Sequence, residues 1–188
     1  MKKLILYCFL LFSGNVFSQS LQFYREDISF EIKEAFFYVD GIYNFCNNGN
    51  KKIQQVLFYP FPLDSLYGEV DYVYVTDFNS GSKNIITNKS EKGFYFEINL
   101  APYGINKYRI SYRQMLLKNK AEYILLTTQK WGKPFENAIY KLTTPGSIKI
   151  TSFSYTPDDT IQSGDKTIYY WNKKDFMPNS NMVFNFDR

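Results

Sequence analysis

Apolar and polar residues alternate with a period of two along most of this chain, and the alternation stops again and again at short clusters of Asn, Gly, Lys and Ser. That is the pattern of antiparallel strands with one buried face. Ile28, Phe30 and Ile32 open the series. Phe37, Val39, Gly41, Tyr43 and Phe45 continue it on one face, with Cys46 on the other, up to a polar turn over residues 47–52. A second apolar run, 53–59, is closed by Pro60-Phe61-Pro62, because proline donates no ladder hydrogen bond.

Further strands are predicted over 70–76, around Ile85 and Ile86, and through Phe94, Phe96, Ile98 and Leu100. Pro102-Tyr103-Gly104 resets the chain before Tyr108, Ile110 and Tyr112, with Arg109 and Arg113 on the opposite face. Segments 123–128, 138–142, 147–155, 167–171 and 182–186 complete the set. Only residues 106–126 offer a helical alternative, in which Ile110, Leu117, Ala121 and Ile124 share a face. β-branched and aromatic enrichment favours two strands there.

The expectation is an all-β fold: an antiparallel two-sheet β-sandwich, immunoglobulin-like or jelly-roll-like, with little or no helix. Roughly ten strands fit into about 168 residues, enough to bury one core. Residues 21–188 are expected to form one domain, with Lys118-Asn119-Lys120 as the one point of soft division.

Residues 1–20 do not follow the alternation. Lys2 and Lys3 precede an unbroken apolar run from Leu4 to Phe12, followed by Ser13, Gly14 and Asn15. This order of positive end, short apolar core and small residues predicts a cleaved secretory signal, since a membrane anchor needs about 20 apolar residues. Val16 and Ser18 suit cleavage before Gln19. The expected destination is the periplasm, the outer-membrane surface or the medium.

Removal of the leader changes the composition. Without Lys2 and Lys3 the 22 basic residues fall to 20 against 18 acidic ones, a net charge of about +2, which implies no nucleic-acid partner. Cys8 leaves with the leader, so Cys46 cannot form an internal disulfide. Its predicted role is that of a small strand residue rather than a nucleophile. The chain contains no histidine, which removes Ser-His-Asp and Cys-His catalysis and the usual zinc donors.

The stretch Gly41-Ile-Tyr-Asn-Phe-Cys-Asn47, followed by Phe58-Tyr-Pro-Phe-Pro62 and later by Tyr108-Arg-Ile-Ser-Tyr-Arg-Gln114, resembles a bacterial family of exported β-sandwich proteins with a vault and inter-alpha-trypsin type pattern. The resemblance covers residues 27–117, contains no catalytic motif, and implies a sandwich fold with adhesion or scaffolding roles.

Three groups of residues are candidates for function. Trp131, Tyr169, Tyr170 and Trp171 could form a flat aromatic platform for a sugar or a protein, with Trp131 in the loop-like Trp131-Gly132-Lys133-Pro134 as the exposed anchor. Asp158, Asp159 and Asp165 cluster carboxylates in a turn-rich segment, the donor type of a calcium site, though the spacing matches no EF-hand. Arg109 and Arg113 lie on one strand face, where an anion or cross-strand carboxylates would pair with them.

The leading reading is an exported, non-enzymatic, envelope-associated module that binds a protein or glycan. Two alternatives come from other classes. One is a small outer-membrane β-barrel, which signal and alternation would also suit. The other is a carboxylate-dependent hydrolase, with Glu122, Glu136, Asp158, Asp159 and Asp175 as candidates.

Overall fold

A computed structural model describes residues 20–188. The predicted leader, apart from Ser20, lies outside this range. The strands are β1 Leu21–Lys33, β2 Phe36–Asn47, β3 Ile53–Pro60, β4 Tyr67–Asp77, β5 Ile86–Ser90, β6 Gly93–Leu100, β7 Ile105–Leu116 and β8 Lys120–Tyr123. After a 3-10 helix at Leu126–Trp131 come β9 Phe135–Pro145, β10 Lys149–Phe153, β11 Asp159–Ser163, β12 Lys166–Phe176 and β13 Met182–Asp187.

They form three open sheets, so the described strands close no barrel. The largest has the order β11-β12-β9-β1-β2-β7-β4, and the two three-stranded sheets have the orders β10-β13-β8 and β3-β6-β5. The all-β, sandwich-like fold predicted from the alternation is thus observed. Every pair is antiparallel except β1 with β9. A parallel pair needs a long crossover, supplied here by everything from β2 to the 3-10 helix.

Both small sheets pack on the same face of the large one. Phe184 of β13 meets Phe30 of β1, Phe37 of β2 and Trp171 of β12. On the other side, Tyr59 of β3 meets Tyr43 of β2 and Tyr112 of β7, and Phe96 of β6 meets Tyr108 of β7. The aromatic richness of the sequence therefore goes mainly into ring-on-ring packing between layers, where large rings bury the most area.

The opposite face of the large sheet is covered by ion pairs. Arg109 holds Asp40 through Nε at 2.8 Å and Nη2 at 2.6 Å, and Arg113 holds Asp71 at 2.8 and 2.7 Å in the same forked way. Hydrogen bonding from these guanidiniums keeps both carboxyls below the usual carboxylate range. The two arginines are thus occupied by carboxylates rather than open to an outside anion.

Some boundaries differ from the pattern. Residues 123–128 were expected to form one strand, yet β8 ends at Tyr123 and the chain turns into the 3-10 helix. The physical reason lies in residues 178–181. Asn181 Oδ1 accepts the backbone N–H of Leu125 and of Leu126 at 3.1 Å each, and Gln129 Nε2 donates to Pro178 O at 2.8 Å. These side-chain bonds replace a strand ladder, and Gly132 at φ 69 ends the turn. Residues 159–163 of the expected carboxylate loop are strand β11, paired with β12 in register from Asp159 opposite Tyr170 to Ser163 opposite Lys166. No helix among the described residues is long and apolar enough to cross a membrane.

Gly41 is required by close approach. A Cβ there would lie 2.4 Å from Ile28 Cδ1 and 2.7 Å from the Tyr43 ring. Ile28 could yield by rotation, but the Tyr43 hydroxyl is held between Tyr59 and Tyr123. Gly41→Ala is expected to destabilise the fold by about 1–3 kcal/mol through overpacking. Urea unfolding at neutral pH measures this, and an unchanged midpoint would show that the ring moves freely.

Candidate functional site

The feature that most clearly marks a site begins as an irregularity in β1. Leu21 and Phe23 point into the core, but the next inward residue is Glu26, followed by Ile28, Phe30 and Ile32. The phase changes at a bulge where Tyr24 is extra, since Phe23 pairs with Phe45 and Arg25 with Asn44. A bulge re-aims the side chains beyond it. Here it sends a glutamate into an otherwise apolar face.

Glu26 is 1% exposed. Tyr140 donates its hydroxyl to Oε1 at 2.5 Å, and Tyr123 donates to Oε2 at 3.0 Å. The Tyr123 hydroxyl is in turn 3.1 Å from that of Tyr43, which is 2.7 Å from that of Tyr59. The sheet register explains the grouping: Tyr43 lies directly opposite Glu26 on β2, while Tyr140 lies opposite Ile28 on β9, one diagonal step away. Tyr59 and Tyr123 descend from the two small sheets, so the chain of hydroxyls joins all three.

Burial pushes the Glu26 carboxyl up to about 7, against the two tyrosine hydrogen bonds that favour its charged form. Burial also keeps the phenols of Tyr43, Tyr59, Tyr123 and Tyr140 well above their ordinary value. At neutral pH they are donors, and Glu26 is the group that titrates.

Above the large sheet, between β3 and β6 on one side and the segment from Tyr123 to Trp131 on the other, a cavity of about 850 Å³ remains. Phe23, Glu26, Tyr43, Phe45 and Ile110 of the large sheet form its floor. β3 and β6 supply one wall, including Tyr59 and Phe96, and Tyr123, Thr127, Thr128 and Trp131 supply the other. Val56, Phe58, Tyr95 and Lys130, all exposed, mark the mouth. Glu26 is the only acidic residue in the lining among the described residues, which assemble no pair of carboxylates for glycoside hydrolysis there.

Of the four predicted platform residues, Tyr169 and Trp171 come together, both packed on Phe153, and Trp131 and Tyr170 lie elsewhere. Trp131 lines the cavity half-buried, its ring 5.9 Å edge-on to Phe23 and 5.7 Å from Phe45, rather than standing out as an exposed anchor. Trp171 is 0% exposed, and its Nε1 donates to Tyr155 O at 2.8 Å. Tyr169 packs on Phe153 at 5.0 Å. Tyr170 points the other way, into a shallower depression on the ion-paired face with Asp40, Phe78, Arg109 and Lys141.

Asp158 and Asp159 have local partners. Asp158 accepts Lys173 Nζ at 2.6 Å and the Asn172 N–H at 2.7 Å, and Asp159 accepts the Thr160 N–H at 2.7 Å. Asp165 sits in the turn after Gly164, whose φ is 61. No group of three or more His, Cys, Asp or Glu residues suited to a metal occurs among the described residues. Glu122, a candidate hydrolase carboxylate, accepts Tyr67 Oη and Asn181 Nδ2 at 2.7 Å each. Cys46 is partly exposed on β2, and burial pushes its thiol above the ordinary value, away from nucleophilic character.

The cavity's main residues were missed by the sequence reading. A signal was present: Glu26 shares the parity of Ile28, Phe30 and Ile32, so extending the alternation two residues toward the N-terminus turns it inward.

Sequence comparison finds no matching protein family and no similar curated protein. Solved structures do share the fold. A protein from Legionella pneumophila subsp. pneumophila str. Philadelphia 1, provisionally described as a nutrient binding protein, superposes with a TM-score of 0.69 at 12% identity, over 89% of this chain and 67% of its own. A two-domain M1 zinc metallopeptidase bound to L-tryptophan gives 0.52 at 9% identity, over 89% of this chain and 43% of its own. The M1 zinc metallopeptidase from Deinococcus radiodurans gives 0.52 at 10%, over 88% and 42%. At these identities the likeness is one of fold, and the chain spans less than half of either peptidase.

The buried carboxylate gives the fold a pH dependence. Its ordinary value is 4.5 and its folded value about 7, so between these the native state holds a proton that the unfolded chain has released. The stability from this group is full below about 4.5 and is lost as pH rises through about 7. The total is on the order of 3 kcal/mol. Glu26→Gln keeps the shape without the charge. Urea unfolding from pH 4.5 to 8 should show the variant gaining on the wild type as pH rises; parallel curves would mean that Glu26 does not titrate in this range.

Proposed function

We propose that this protein is a non-enzymatic binding module that takes a ligand in the aromatic cavity between its sheets. The observation that carries this reading is the cavity itself, where six or more rings surround one buried, hydrogen-bonded carboxylate. Its volume lies within the roughly 300–1,000 Å³ typical of ligand pockets, and its composition, apolar walls with few converging polar groups, is the usual one. A perturbed carboxyl in such a cleft is a mark of a functional position.

Other observations support the same reading. The Legionella pneumophila neighbour is described in terms of nutrient binding. The zinc of the peptidase neighbours has no counterpart in the donor set of this chain, which has no histidine and one described cysteine. The leader-like residues 1–20 favour work outside the cytoplasm, on an envelope glycan, protein or nutrient. The motifs over residues 27–117 that resemble exported β-sandwich proteins fall on β2, the end of β3 and β7, where they build the cavity floor and wall.

A fragment screen by thermal shift and ligand-observed NMR tests the reading. Small aromatic and sugar fragments should include binders, stabilising by binding linkage. The same fragments should lose binding in Thr127→Trp, which fills the cavity from the 3-10 helix while leaving the sheets intact by circular dichroism. Binding that persists in Thr127→Trp, or a screen without hits at millimolar concentration, would overturn it.

A further inference from the structure

The cavity ligand can be narrowed by charge. Resting on the reading of the cavity as a binding site, we propose that it takes an organic cation: a protonated amine attached to an apolar group, with Glu26 as its counter-charge. Glu26 brings a carboxylate to the floor of the cavity, and among the described residues no basic side chain pairs with it there. Among the described residues the only basic one in the lining is Lys130, exposed at the mouth. Arg25, one position away in sequence, points to the other face and is held by Asp27 through Nε at 3.0 Å and Nη2 at 3.1 Å. Tyrosine hydroxyls satisfy one acceptor position on each Glu26 oxygen. A carboxylate offers about four, so acceptor capacity remains for an ammonium donor.

The walls suit such a guest. Tyr59 and Trp131, both half-buried, bring aromatic surface to the lining, and aromatic rings attract cations, more strongly when desolvated. A neutral ligand would gain the apolar contact but leave the buried charge unmatched. A metal ion is the poorer guest, because one carboxylate and several phenols provide too few hard donors, and no cluster of metal-binding residues occurs among the described residues.

The groups facing Glu26 are the phenols of Tyr43 on β2, Tyr59 on β3, Tyr123 on β8 and Tyr140 on β9, with Tyr112 on β7 beyond Tyr59, and Lys130 at the rim. Asp27, adjacent in sequence, faces the opposite side of the sheet. The phenols are neutral throughout the range from pH 5 to 8, so a change in cation binding across it reports on Glu26.

Two probes of nearly equal shape separate charge from bulk: 2-phenylethylammonium and 2-phenylethanol. Isothermal titration of the full chain at pH 8 should show the amine bound at least tenfold more tightly than the alcohol. In Glu26→Gln, with its fold checked by circular dichroism, the preference should fall to within about twofold. In the wild type it should shrink as pH is lowered to 5, with alcohol binding unchanged, which keeps the test decisive if the variant misfolds. Equal binding of the two probes, or a preference retained in Glu26→Gln and at pH 5, would overturn the cation assignment while leaving the cavity a ligand site. If neither probe binds and the fragment screen also fails, both readings fall.

Discussion

The burial of Glu26 is the constraint around which the sheets are arranged. A carboxyl with 1% exposure and no cationic partner is costly in any charge state unless its oxygens are hydrogen-bonded. Two tyrosines meet that need directly, and two more extend the chain of hydroxyls. The four come from β2, β3, β8 and β9, so satisfying one side chain fixes the position of the β3-β6-β5 sheet and the β10-β13-β8 sheet relative to the large one. Hydrophobic packing alone would tolerate sliding of ring against ring. A directional chain of hydroxyls tolerates far less, because hydrogen bonds weaken steeply with misalignment.

The cavity follows from the same arrangement. The hydroxyl ends of Tyr43, Tyr59 and Tyr123 meet in its lining, so the polar chain and the open volume share the same residues. Gly41 belongs to this geometry: by omitting a Cβ it lets Ile28 and the Tyr43 ring occupy the space beside the carboxyl. The ion pairs on the far face do different work. Arg109 with Asp40 and Arg113 with Asp71 are half-exposed, contribute little to stability and keep a broad flat sheet face from being apolar.

Much of the fold was legible in the sequence and the site was not, for a physical reason that β1 makes plain. Alternation reports which face a residue takes only while the ladder is regular, and Ile28, Phe30 and Ile32 obeyed it. The bulge at Tyr24 reverses the phase, so Leu21 and Phe23 have odd numbers while the inward residues beyond have even ones. A single chain read by periodicity loses the strand at that point, and with it Leu21 and Phe23; Glu26, still in phase with Ile28, is passed over because a charged side chain does not read as inward. The 3-10 helix was hidden differently. Residues 123–128 have strand-forming composition, and only the distant Asn181 and Gln129–Pro178 bonds turn them. Trp171 and Tyr170 are adjacent and so face opposite sides of a strand, which keeps the four aromatic candidates from sharing one surface. Trp131 did reach a site, but as a wall rather than an exposed anchor.

Fold likeness and chemistry separate here. The sheet architecture is shared with structures of quite different description, among them large peptidases of which this chain matches less than half, and a fold of this kind hosts unrelated functions. What distinguishes this chain is where it departs from the consistent pattern of a buried apolar face. Local rules broken at one residue and supported by several others are the mark of a position kept for more than stability. Glu26 breaks the rule of the apolar face, the bulge breaks the regular ladder to place it, and four tyrosines supply the hydroxyl network that holds it. A hydrophobic residue at position 26 would fill the same face without that support. The carboxyl, its phenols and the open volume above them therefore form a single unit.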